Sequence, residues 1–217
     1  MASLRLYQLV SPALPVGAFS YAEGLEVLVQ SGRLNDGAMV RRWLEAELQR
    51  GALCLEAAAL PDLMQRMTQG DWSAVGERDG WLLAQRDAAE VRAQQRQMGR
   101  SLQQLLADLG WPLPPQAPPL SWPAAFAHAG LCLALEPAAV VEAYLYGWCA
   151  NQLSAAVRLV PLGPTEAQRI QLALGPALEQ RARELAQADP QQLWCGSVGA
   201  SLAQLGHAEL YSRLFRS

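Results

Sequence analysis

Apolar positions along this chain recur every three or four residues rather than every second one, and Leu, Ala, Gln, Arg and Glu fill the long segments between breaks. The pattern predicts an all-α fold. A first helix is expected over about 20–30, opened by Ser20 with Glu23 in capping-box spacing and closed by Ser31-Gly32. Asn35 or Asp36 can cap the next helix, which carries Val40, Trp43, Leu44, Glu47 and Leu48 toward Arg50. Helical segments follow over 53–69, disturbed by Pro61, and over 71–85. The clearest amphipathic helix covers 87–109, where Val91, Met98, Leu102, Leu105 and Leu109 make one narrow stripe. Segments 124–135 and 138–160 are apolar almost all round, as expected of helices at the centre of a bundle. Thr165 with Gln168 offers a second capping box, before a helix that Gly175-Pro176 should kink and Asp189-Pro190 should end. A short helix over 197–205 then leads into the tail. The sum is a single-domain bundle of roughly eight to ten helices spanning 1–217.

Two stretches interrupt the helical pattern. Residues 111–123 hold six prolines among thirteen positions and cannot continue a helix. They read as a long loop over one domain, because neither half of the chain looks self-sufficient. Near the start, Pro12 and Pro15 lock their own φ and push Ser11 and Leu14 toward extended geometry, while Gly17 permits a backbone angle that a β-carbon resists. A defined turn should result.

Composition narrows the function classes. Hydrophobic residues make up 51% of the chain against 17% charged, yet no 18 consecutive residues are uninterruptedly apolar, so neither disorder nor a membrane span is expected. Residues 1–10 contain Arg5, Tyr7 and Gln8 and do not resemble an export signal, which makes a cytoplasmic location the expectation. Four widely spaced cysteines without a Cys-x-x-Cys pair read as reduced, buried thiols. A net charge of −3 argues against nucleic-acid binding and in favour of protein partners. All 17 basic residues are arginines, so neither a Walker-type phosphate site nor a Schiff-base lysine can be built. No resident cofactor is expected.

Three groups of residues invite chemistry. His128, Cys132 and Glu136 lie at i, i+4 and i+8 and would share a helical face able to offer nitrogen, sulfur and oxygen to a transition metal. Phe126, Leu131, Leu133 and Leu135 around them favour plain packing instead, and no metal ligand is assigned. Arg92, Arg96 and Arg100 form a basic ridge whose like charges cost about 0.2–0.5 kcal/mol per pair unless offset, by Glu90 locally or by another surface. Gly99 within that helix costs about 1 kcal/mol relative to alanine, which predicts a close helix contact there. In the tail, Tyr211, Leu214 and Phe215 are spaced i, i+3, i+4, with Arg213 and Arg216 on other faces. Such a segment should dock, on its own domain or on a partner.

The ordered run from Leu9 to Glu26, Glu90-Val-Arg92 followed by Gln97-Met98-Gly99-Arg100-Ser101-Leu102, Tyr144-Leu145 with the stretch from Ser154 to Gly163, and Tyr211-Ser212-Arg213-Leu214-Phe215-Arg216-Ser217 together resemble the UreF family of urease accessory proteins. Departures are Ala18, where the family usually has a second glycine, Pro164 after Pro-Leu-Gly, and Ala208, where a glutamate usually follows the histidine. The resemblance implies an all-helical, non-catalytic assembly factor for a nickel enzyme. Its partners would be the UreD/UreH accessory protein, the nickel-binding GTPase UreG and apo-urease, and it would commonly be a homodimer. Partner binding is then expected of Ser11, Pro12, Pro15, Gly17, Phe19, Ser20, Gly24 and Glu26 in the turn. It is also expected of Arg92 and Arg100 on the ridge, and of His207, Tyr211, Ser212, Arg213, Leu214, Phe215, Arg216 and Ser217 in the tail. Both end segments would become ordered on binding. The alternative is a GTPase-activating regulator, in which Arg213 or Arg216 would stabilise charge in the partner's transition state, an effect worth about 10³–10⁵ in rate.

Overall fold

The computed structural model describes residues 4–217. The described residues form ten α-helices and three short 3₁₀ turns joined by loops, with no strand among them, as the hydrophobic periodicity requires. The helices are α1 (Leu4–Leu9), α2 (Leu25–Gln30), α3 (Gly37–Arg50), α4 (Ala52–Gln69), α5 (Trp72–Ala84), α6 (Ala89–Asp108), α7 (Trp122–Cys132), α8 (Pro137–Leu159), α9 (Pro164–Leu185) and α10 (Val198–Gly206). α4, α7 and α8 meet at the centre, and α6 packs along α7 while α9 packs along α8. α7 is covered on all sides, with no exposed position, whereas α8 keeps one exposed stripe through Glu142, Tyr146, Ser154 and Arg158. Phe126 of α7 and Tyr144 of α8 meet edge to face, ring centroids 5.2 Å apart.

Several helix ends follow directly from local chemistry. Asp36 caps α3, its Oδ1 accepting from the Met39 N–H at 2.8 Å, and Asp71 caps α5 through the Ala74 N–H at 3.0 Å. α4 continues past Pro61, and α9 past Pro176, so neither proline ends its helix. Packing on the core outweighs the one backbone bond that each ring removes.

Both proposed capping boxes fail, each for a backbone reason. The helix expected from Ser20 starts only at Leu25, because Glu23 (φ 49°) and Gly24 (φ 84°) are consecutive left-handed residues that no α-helix can contain. Thr165 lies inside the first turn of α9, which begins at Pro164 with Gly163 as its cap. The metal-like triad also comes apart. α7 stops at Cys132, Ala134 turns left-handed (φ 52°), and Glu136 becomes the cap of α8, leaving only His128 Nε2 and Cys132 Sγ near each other at 3.6 Å. No cluster of three or more metal-ligating side chains occurs among the described residues.

The proline-rich stretch lies as a strap across α5 and α6. Leu113, Ala117 and Leu120 turn into the core, and Gln103 Nε2 donates to the Leu120 carbonyl at 2.7 Å. The close approach expected at Gly99 is with this strap rather than with a helix. A β-carbon there would lie 2.3 Å from the Leu120 carbonyl oxygen. Among the described residues no helix is long and apolar enough to cross a membrane.

Candidate docking site

The N-terminal turn is built by short local bonds. Leu14 N–H donates to the Ser11 carbonyl at 3.0 Å, Ala13 N–H donates to Ser11 Oγ at 3.2 Å, and Gly17 takes φ 74°, the angle for which a glycine is needed there. Pro12 and Pro15 stay on the surface. A 3₁₀ turn over Ala18–Ser20 then exposes the Phe19 ring while Tyr21 and Ala22 go inside. Gly24 is required twice over: its φ is positive, and a β-carbon would sit 2.8 Å from the Gln204 backbone nitrogen in α10.

The tail is laid directly on this turn. Ala22 N–H donates to the Ser217 carbonyl at 3.0 Å and Arg216 N–H to the Ser20 carbonyl at 2.9 Å. The buried Glu26 carboxylate accepts the backbone N–H groups of Leu214 (2.8 Å) and Phe215 (3.1 Å), much as an anchoring cap does at a helix start. Phe215 is buried, with the Arg158 guanidinium 4.6 Å from its ring centroid. Arg158 also reaches the Phe19 carbonyl at 3.4 Å, and Gln30 Nε2 reaches the Ser212 carbonyl at 3.3 Å. Thus the turn and the tail, far apart in sequence, form one composite surface. Phe19, Tyr211 and Leu214 project from it exposed, among Arg213 and Arg216.

His207 closes the joint from behind. It is fully buried, its Nδ1 2.6 Å from Glu90 Oε2 and its Nε2 3.7 Å from Glu26 Oε2. Arg213 Nη1 bonds the other Glu90 oxygen at 2.8 Å. Glu90 therefore serves the tail and not the basic ridge. Arg92 turns its Nη1 to the Arg86 and Asp87 carbonyls, closing the bend before its own helix. Arg100 bonds Gln97 Oε1 at 3.2 Å on the exposed side of α6, three turns from Glu90 and outside the composite surface.

A buried polar network supports the site. Ser217 Oγ donates to Gln94 Oε1 at 2.6 Å, and Gln94 Nε2 donates to Glu23 Oε1 at 2.9 Å. Glu23 Oε2 in turn accepts from Trp148 Nε1 (3.2 Å) and faces Arg86 Nη1 (3.8 Å). Arg86 Nε donates to Glu56 Oε1 at 2.7 Å, and Tyr144 OH to Glu56 Oε2 at 2.8 Å. Burial raises the Glu56 carboxyl above its usual range, against the pull of Arg86. Burial alone would lower the Arg86 guanidinium, but Glu56 and Glu23 beside it reverse that and raise it. The left-handed backbone at Glu23 is what aims its side chain into this network.

Sequence reasoning missed Glu23, Arg86, Glu90 and Gln94 as site residues. One signal was present: Gln94 and Gln95 occupy positions on the apolar stripe of α6, between Val91 and Met98, and polar groups on a core-facing stripe need partners.

The architecture defines the class: an all-α protein whose two end segments interlock into one surface beside a buried charged network. The UreF family model matches residues 34–175, which is most of the helical body. The chain is 40% identical to "Urease accessory protein UreF" of a Nostoc species over 218 residues, covering 99% of this chain and 95% of that protein. It is 39% identical to the protein of the same name from Alkalilimnicola ehrlichii, covering 100% and 96% of the two chains. The protein of that name from Microcystis aeruginosa is 40% identical, with 99% and 97% covered. This chain belongs to the UreF family.

Proposed function

We propose that this chain works in urease maturation as a non-catalytic assembly factor. It joins the UreD/UreH accessory protein to the nickel-binding GTPase UreG so that nickel reaches apo-urease. It does so in the cytoplasm, as one 217-residue domain and as a homodimer. Family membership supports the pathway, and the composite surface supports the mode of action. The single observation that carries the reading is that Tyr211, Leu214 and Phe19 stand exposed on a backbone clamped by Glu26 and by the Ser20 and Ala22 hydrogen bonds. Large apolar side chains held rigidly in solvent are the anchors that protein interfaces use. In this arrangement Arg213 is engaged by Glu90, which favours a binding role for it over a transition-state role.

The test is recruitment. Replacing Tyr211 and Leu214 together by serine, or removing 207–217, should leave far-ultraviolet helicity in place. Co-purification of the GTPase with the UreD/UreH-containing complex should then fall about tenfold or more. Undiminished recruitment by both variants refutes the tail as a docking element. Normal binding with reduced GTP turnover at saturation would instead select the GTPase-activating reading.

A further inference from the structure

His207 is more than a packed ring. Its two nitrogens face two different carboxylates, Nδ1 toward the half-buried Glu90 at 2.6 Å and Nε2 toward the buried Glu26 at 3.7 Å, and the buried Nε2 has no hydrogen-bond partner. A neutral ring with its proton on Nδ1 serves Glu90 but turns the Nε2 lone pair toward the buried Glu26 carboxylate, so two acceptors confront each other. A ring carrying both protons gives each carboxylate a donor. Charge arithmetic agrees. α2 contributes Glu26, α6 contributes Glu90, the tail contributes Arg213, and α10 brings no charged residue. Two negative groups then face one positive group, and an imidazolium makes the set neutral.

We propose that His207 is a proton-operated clasp on the tail. The doubly protonated ring ties α6 to α2 behind 210–217, and loss of one proton loosens that segment. Glu26 is the hinge of the effect, because the same carboxylate that receives His207 also holds the Leu214 and Phe215 N–H groups. When Nε2 loses its proton, Glu26 is left buried beside a lone pair, and its hold on the tail backbone competes with its need for solvent. The sign follows from the geometry: the docked tail is favoured while both ring nitrogens carry protons, and that contribution is lost when one proton leaves. Only the consequence for partner capture rests on the proposed docking role. The clasp itself does not.

Hydrogen exchange on the full-length chain tests this, with protection factors corrected for intrinsic rates. In the wild type, protection of the Leu214 and Phe215 amides should drop about tenfold or more between ~pH 6 and ~pH 8, while α4 and α8 amides hold. In His207→Gln the tail should be equally loose at both pH values. A pH-independent wild-type tail, or a variant that keeps the full pH dependence, overturns the clasp. If His207→Gln does not fold, ring nitrogen shifts in the wild type decide, because the chain holds only two histidines and His128→Asn assigns them. Both His207 nitrogens protonated at ~pH 6 support the proposal, and a single neutral tautomer overturns it. GTPase capture at the two pH values separates the readings. Tail loosening without loss of capture leaves the clasp standing and refutes the docking role.

Discussion

Single residues decide where this fold departs from its simplest reading. Gly99 is the sharpest case. Alanine would raise helix propensity by about 1 kcal/mol, yet its β-carbon would meet the Leu120 carbonyl oxygen at 2.3 Å, and backbone cannot swing aside as a side chain can. Gly99→Ala should therefore destabilise by about 1–3 kcal/mol despite its better propensity, read as a lower thermal midpoint. A midpoint that rises would mean the strap yields freely. The cost of glycine in a helix was legible in the sequence as a sign of close contact, but the identity of the neighbour was not. Nothing local tells α6 that an extended strap lies on it. Glu23 shows the opposite failure. Its spacing from Ser20 fits a cap, whereas its carboxylate satisfies Gln94, Trp148 and Arg86, partners from two distant parts of the chain.

At the level of elements, the joint between α5, the strap and α7 hangs on one acid. Asp79 of α5 accepts from the Ser121 backbone N–H at 2.9 Å through Oδ2 and from the Ser121 hydroxyl through Oδ1, just where α7 begins. α7 has no side-chain cap of its own from Ser121, so Asp79 supplies the acceptor from a neighbouring helix. Asp79→Ala should cost about 1–3 kcal/mol in chemical unfolding, because the buried Ser121 donors lose their partner. No change would show that α7 does not depend on the borrowed cap. Apart from α1, which the periodicity did not single out, helix existence and most boundaries were readable from periodicity and from Asp36. The caps that fail, at Ser20 and Thr165, lie where proline, glycine or left-handed backbone sets the path first.

Across the whole molecule, three buried acids share one direction. Burial raises the carboxyls of Glu47, Glu56 and Asp79 above their ordinary range, outweighing the hydrogen bonds from Ser197 at Glu47, from Tyr144 at Glu56 and from Ser121 at Asp79. An acid that holds its proton more tightly in the folded state contributes stability that is complete below its unfolded pKa and is lost as pH rises through the folded one. Urea unfolding should therefore give a stability that declines from mildly acidic toward neutral pH. Glu47→Gln should flatten that decline, by at most about 1.4 kcal/mol per pH unit for one proton. An unaltered slope would remove Glu47 from the set. The all-α class and the central place of α7 and α8 were legible from composition and the all-round apolar segments. The composite surface was only half legible. Motifs flagged the turn and the tail separately, but their pairing depends on backbone bonds such as Ala22 to Ser217, which carry no side-chain signature.

That pairing has a consequence for how the protein is made. Glu26 leaves the ribosome long before its partner Leu214, 188 positions later, so a growing chain carries an unfinished acidic pocket throughout its synthesis. A copy cut short of Leu214 leaves the Glu26 carboxylate without the two backbone amides that it holds in the full chain.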